Sequence, residues 1–357
     1  MPAAADMRSA GLLVVAGAAL YALPLAVWIR YSEEIVSAGG LAAFVEAACG
    51  RRLALVQAAI WSLSYFLYLP YTVTDIVYEM LADVFPGLAP WRAPIEIVVP
   101  VAIVGLVLTG TRPVLALLLG SAALQLVLVL ALGVVVLAKV GAPATSFTRV
   151  PAAHSLTSGS VNIALLFLCG SLPLFLGAEV AGGGRVVRRT LIAAFALVGA
   201  YLLVALFPVA AVDPALRQAH LPGFAIASAY AGRSFGIAVG VGGAASVAGL
   251  ILAEYLALSR LLYSVTGVPI RRLLAWIGVP FVAVDALSLA GPESFDRNVL
   301  RPSLIALFAS QLIVFVVFPI YRRRRGKLTV VDVLLAAGAS ALMAWGLYQA
   351  VVSTVST

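Results

Sequence analysis

The stretch Asn162-Ile-Ala-Leu-Leu-Phe-Leu-Cys169-Gly170-Ser171-Leu172-Pro173-Leu-Phe-Leu-Gly177-Ala-Glu179 lies in an apolar run, residues 160–181, that is long enough to cross a bilayer. Gly170 lowers helix propensity, and Pro173 removes an amide donor and clashes with the carbonyl of residue 169. Together they predict a helix broken at mid-membrane. Amides exposed at such a break, reinforced by the dipole of the half-helix that follows, can hold a carboxylate. The bland alternative is a proline kink packed against its neighbours, since glycine and proline are common in membrane helices.

Outward from this run the chain repeats the pattern. Apolar runs occupy residues 11–29, 53–82, 94–110, 114–138, 160–181, 190–211, 235–259, 273–290, 302–321 and 329–353. The second and seventh are long enough to extend past the membrane as longer helices. The eighth is the weakest, because it carries Pro280 and Asp285. Hydrophobic residues make up 63% of the 357-residue chain and charged ones 11%, with a mean hydropathy of +1.10. A soluble domain is about half apolar and a quarter charged, so this chain needs lipid as its solvent. In lipid only helices or closed barrels satisfy the backbone, and barrel strands alternate apolar and polar residues. Continuous runs of near twenty residues predict an all-α integral membrane protein of about ten spans, read as one membrane domain over residues 1–357.

The net charge of +8 belongs to loops. With the N-terminus outside, fifteen of the 23 basic residues fall on inner loops, including the two dense clusters at 185–189 and 322–327. If residues 273–290 did not cross, the second cluster would face out. Both termini are therefore expected outside a multi-pass cell-membrane protein. This placement also explains the basic pI of about 9.8 without a nucleic-acid partner.

Two cysteines, Cys49 and Cys169, and two histidines, His154 and His220, offer no disulfide framework or metal centre. No phosphate-binding loop, dinucleotide glycine pattern, zinc spacing or serine elbow occurs, so catalysis has no positive support. The first run is too long for a signal-peptide core and lacks a cleavage site. Ionisable groups inside spans are candidate ion or proton sites. Glu254 and Asp285 are the candidates carried forward, with H+ or Na+ as coupling ion and no other cofactor. Asp75 and Glu79, one turn apart near a helix end, read better as interfacial or paired groups. Tyr65, Tyr68 and Tyr71 recur at three-residue spacing; they either line a solute path or pack. Ser246 and Ser259 are faint candidates for a sodium ion.

Three stretches resemble the amino acid–polyamine–organocation (APC) permeases. The first runs from Tyr21 to Gly50, with Leu23-Pro24-Leu25 leading to Ser37-Ala38-Gly39-Gly40-Leu41-Ala42-Ala43-Phe44-Val45 and Gly50-Arg51. It is similar to the family's second helix and following loop. The second, Leu165 to Leu206, resembles the discontinuous sixth helix, an inner loop and the seventh helix. The third, Ser259-Arg260-Leu261-Leu262-Tyr263 with Gly267-Val268-Pro269, is similar to the end of the eighth helix. The resemblance implies a five-plus-five inverted-repeat transporter working by alternating access. Its substrate would be an amino acid or related amine or organic cation. That substrate would meet Cys169, Gly170, Ser171, Leu172 and Pro173 at the break, with Tyr68 nearby. Ser171 and Leu172 stand where the family often has an aromatic-Gly-aromatic-Glu pattern. The fifth-helix lysine that marks some proton-coupled members has no counterpart in 114–138. Nothing matches the family's first helix, and one helix rather than two follows its tenth. The expectation is thus a secondary active transporter whose partners are a small solute and the lipid bilayer. A shortened, non-transporting subunit with a structural or regulatory role is the alternative.

Overall fold

The computed structural model describes residues 6–141 and 143–355, with residues 6, 7, 154, 168, 169 and 353–355 described by backbone alone. Among them ten helices are long and apolar enough to cross a membrane, and no strand occurs. They are α1 (Ala10–Ser32), α2 (Arg51–Val84), α3 (Pro86–Thr109), α4 (Thr111–Val140), α5 (Ser155–Glu179), α6 (Gly183–Ala211), α7 (Arg233–Thr266), α8 (Ile270–Ala290), α9 (Asp296–Arg324) and α10 (Val330–Val352). All ten expected spans are present, because each run holds enough apolar surface to make an internally bonded helix the cheapest state in lipid. α2 and α7 each reach 34 residues. α3 starts earlier than the hydropathy implies, through a 3-10 turn at Pro86–Trp91. α2 carries a π-helical turn at Asp75–Met80.

Contacts group the chain into two compact units that interleave in sequence. The first comprises Met1–Ala19, Thr72–Leu166 and Ala196–Leu252, and the second Leu20–Tyr71, Phe167–Phe195 and Ala253–Thr357. In the first, glycines on α7 allow close helix approach. A Cβ added at Gly240 would meet Val84 at 2.3 Å, one at Gly242 would meet Leu128 at 2.2 Å, and one at Gly249 would meet Ser121 at 2.7 Å. Small residues at such crossings replace the hydrophobic drive that lipid removes. The start of α1 is tied down by Ser9, whose hydroxyl donates to the Arg149 carbonyl, and by the Gly11 amide, which donates to Ser146, both at 2.8 Å.

In the second unit α9 pairs with α10 and with a short helix, Leu41–Cys49. Tyr31 stacks on Phe44 at 4.5 Å and meets Phe318 and Tyr321. A polar girdle closes the end of this packing. Glu34 accepts from Lys327 at 2.7 Å and from the Tyr321 hydroxyl at 2.8 Å, with Arg325 at 3.5 Å and Arg322 at 3.8 Å. The Lys327 hydrogen bond, followed by that of Tyr321, holds the Glu34 carboxyl below the usual carboxylate range. Asp332 pairs with Arg30 and Arg322 and accepts from the Thr329 amide and hydroxyl, so Thr329-x-x-Asp332 forms a capping box at the start of α10.

Candidate functional site

The break read from Gly170 and Pro173 is present as a change of helix type. α-Helical bonding in α5 ends at Leu165, a turn follows, and Leu168–Glu179 is a twelve-residue 3-10 helix. Runs of 3-10 beyond three or four residues are uncommon, and a mid-helix stretch often marks a functional hinge or strain. The Gly170 amide donates to the Phe167 carbonyl at 2.8 Å. This corrects the expectation of a free amide there: the tighter winding engages it. Pro173 has no amide hydrogen, so the 3-10 ladder skips a rung at the Gly170 carbonyl. The Tyr21 hydroxyl sits against Gly170, 3.2 Å from where a Cβ would stand.

The segment is closely packed. The Phe175 ring lies over Gly40, whose φ is +49° and where a Cβ would come within 2.5 Å of the ring. It also meets Trp61, at 4.2 Å between centroids, and Trp61 in turn stacks on Tyr65 at 3.8 Å. Ser171 is fully buried and accepts a hydrogen bond from Gln311 at 3.4 Å. Leu172 and Pro173 are half-buried; the Cys169 side chain lies outside the described residues. On the same face of α9 as Gln311, Ser303 donates to the Ser64 carbonyl at 2.7 Å. Gln57, Trp61, Ser64 and Tyr68 thus form one stripe of α2, at the spacing of a single helix face. Tyr68 is half-buried, with its ring 6.0 Å from Tyr71. The second unit therefore brings Gly170 and Ser171 together with neutral polar groups from α2 and α9 and with the rings of Tyr21, Trp61 and Phe175.

The carboxylates divide. Glu254 on α7 and Asp285 on α8 are both buried in the second unit, 2% and 0% exposed. The Oε2 atom of Glu254 has no hydrogen-bond partner among the described residues. Arg260, six residues on, bonds instead to Glu179 at 2.9 Å and to Ser259 at 3.0 Å. Ser259 itself donates to the Leu256 carbonyl at 2.7 Å. A hydroxyl held by a guanidinium does not suit a sodium ion, which corrects that reading of Ser259. Sequence reasoning missed Glu96, fully buried on α3 and accepting from Thr74 at 2.7 Å beside the π turn. A glutamate inside an apolar run was the available signal. Among the described residues no group of three or more His, Cys, Asp or Glu side chains is arranged to hold a metal ion.

Asp75 and Glu79 flank a clasp in the first unit. His220 Nδ1 lies 3.0 Å from Asp83, and its Nε2 contacts Glu79. The Asp83 hydrogen bond, aided by the Glu79 charge and opposed by slight burial, pushes the imidazole up from its ordinary 6.5. A raised value means the clasp stabilises fully below 6.5 and is lost as pH rises through the shifted value. The clasp is exposed, so it contributes at most about 1 kcal/mol. Melting curves between pH ~6 and ~9 should show wild type losing a small advantage over His220→Gln as pH rises. Parallel curves would show that the clasp carries no charge-dependent stability.

No protein-family model matches the chain, and no curated protein matches it. Among solved structures, it is similar to MhsT in complex with L-phenylalanine. The match has a TM-score of 0.62 at 15% sequence identity and covers 97% of this chain and 91% of MhsT. A likeness that spans nearly both chains at so low an identity is one of fold, and it does not single out the APC permeases. The ten apolar helices and this match together give the chain an all-helical, multi-span fold similar to that of MhsT.

Proposed function

We propose that the protein is a secondary transporter of amino acids or related amines, a permease of the APC type that works by alternating access in the cell membrane. The observation that carries this reading is the twelve-residue 3-10 segment that makes up the second half of α5. In inverted-repeat transporters solute and ion sites form at interrupted helices near the bilayer midplane. The segment supplies Cys169, Gly170, Ser171, Leu172 and Pro173, and the α2 stripe adds Tyr68 as a further wall. The binding of L-phenylalanine by MhsT supports an amino acid as the solute class. Glu254 is the leading coupling group and Asp285 the second, with H+ or Na+ as the ion. The basic loops support both termini outside.

Purified protein in liposomes is expected to take up L-phenylalanine or another of the twenty amino acids, or an amine, with saturation and in response to an imposed H+ or Na+ gradient. If no member of that panel moves under any gradient, the reading fails.

A further inference from the structure

Gln57 is 0% exposed, and neither its amide oxygen nor its amide nitrogen has a partner among the described residues. One turn along the same face of α2, the indole N–H of the equally buried Trp61 is also without one. Buried polar groups are nearly always hydrogen-bonded, and an unmade bond is costlier where no water competes. The Trp61 ring is held between Tyr65 and Phe175, so its N–H direction is fixed by packing. Whichever way the Gln57 amide is turned, the pair presents two donor nitrogens, the indole N–H and the amide NH2 with its two hydrogens, and one carbonyl acceptor. A carboxylate alone would leave the acceptor unused, and an ammonium alone would leave both donors unused. A zwitterion satisfies all three.

We propose that Gln57 and Trp61 form a second binding station for the zwitterionic head of a small amino acid, one turn beyond the Trp61–Phe175 contact on the solute's route. The solute carboxylate accepts from the indole and amide N–H groups, and its ammonium donates to the amide oxygen. Phe175 belongs to the 3-10 segment, so a change of winding there moves the ring that covers this station. Trp61 is shared with the packing at the break, whereas Gln57 lies one turn further along the stripe, and Tyr68 is eleven residues from Gln57, about 16 Å away at helical rise. The proposal rests on the transporter reading.

The test uses Gln57→Leu, which removes the amide at similar volume, and Trp61→Phe, which keeps the ring contacts and removes the N–H. The probe is an equimolar mixture of the twenty amino acids. Without the mixture, Gln57→Leu should melt at or above the wild-type temperature, because an unsatisfied group has been removed. With it, wild type should gain thermal stability and both variants should gain less. Uptake of the labelled mixture should fall about tenfold in each variant, with little further loss in the double variant, because one ligand uses both groups. Variants that keep the wild-type thermal gain and uptake would overturn the station. So would a fall in the unliganded melting temperature of Gln57→Leu with uptake intact, since that outcome assigns the amide to a structural water. A wild-type protein that neither binds nor moves the mixture would instead sink the transporter reading itself.

Discussion

Replacing Glu179 by Ala should destabilise the protein by about 2–3 kcal/mol, more than the complementary Arg260→Met, although each removes the same ion pair. The asymmetry follows from burial. The Arg260 side chain is 3% exposed and that of Glu179 43%. Losing Glu179 leaves a buried guanidinium without its carboxylate partner. Removing one partner of a fully buried pair costs about 3–5 kcal/mol, and the half-exposed glutamate brings this pair to the lower end or below. Losing Arg260 frees Glu179 to turn into solvent, and the methionine keeps most of the packing volume, so about 1 kcal/mol is expected. In the double variant much of the Glu179→Ala loss should return, because no buried cation is left to strand. Melting temperatures of the four proteins in one detergent check this. If Arg260→Met proved the more damaging single change, the arginine would be acting through contacts other than Glu179. The pair joins the end of the 3-10 segment to α7, so its strength also sets how firmly that segment is anchored.

Long apolar runs made the helices legible in the sequence, because twenty lipid-facing residues leave the backbone few alternatives. The weak eighth run is a helix despite Asp285, which is fully buried instead of facing lipid, and despite Pro280, whose missing bond a membrane helix tolerates. The position of the break was also legible, from Gly170 and Pro173. Its winding was not, and Phe175 within it rests between Gly40 and Trp61, residues more than a hundred positions away. Ser171 was readable as a polar group at the break, but its bond to Gln311 crosses 140 residues and leaves no periodic trace. Gln57 and Gln311 escaped notice for a simpler reason. Neutral amides barely disturb an apolar run, yet once buried they demand hydrogen bonds that the run does not announce. The carboxylates were visible as residues. Which of them found partners was decided by packing, as Glu179 shows by taking the arginine that lies closer in sequence to Glu254.

That unequal outcome makes Glu254→Gln the most informative functional change. Six residues of α-helix turn Arg260 well away from the face of Glu254, and Glu179 already occupies the guanidinium. A carboxylate left ionised and unpaired inside a membrane helix costs about 2.5–3.5 kcal/mol even on insertion scales. Glu254 is therefore comfortable only when a proton or a cation accompanies it, which is the property a coupling site requires. Glutamine keeps the shape and the hydrogen-bonding capacity of the neutral acid while holding neither ion. Glu254→Gln should accordingly fold, melt within about 1 kcal/mol of wild type, and retain exchange of internal for external solute, which needs no net ion movement. Accumulation against a gradient should fall about a hundredfold, the loss expected when roughly 2.7 kcal/mol of ion-driven bias disappears. Liposomes loaded with solute report the exchange, and empty ones under an H+ or Na+ gradient report the accumulation. If accumulation persists while exchange is normal, coupling does not pass through Glu254, and Asp285→Asn becomes the change that must show the split. If both vanish with the protein still folded, Glu254 belongs to the solute site itself, and the substrate is one whose cationic group it meets.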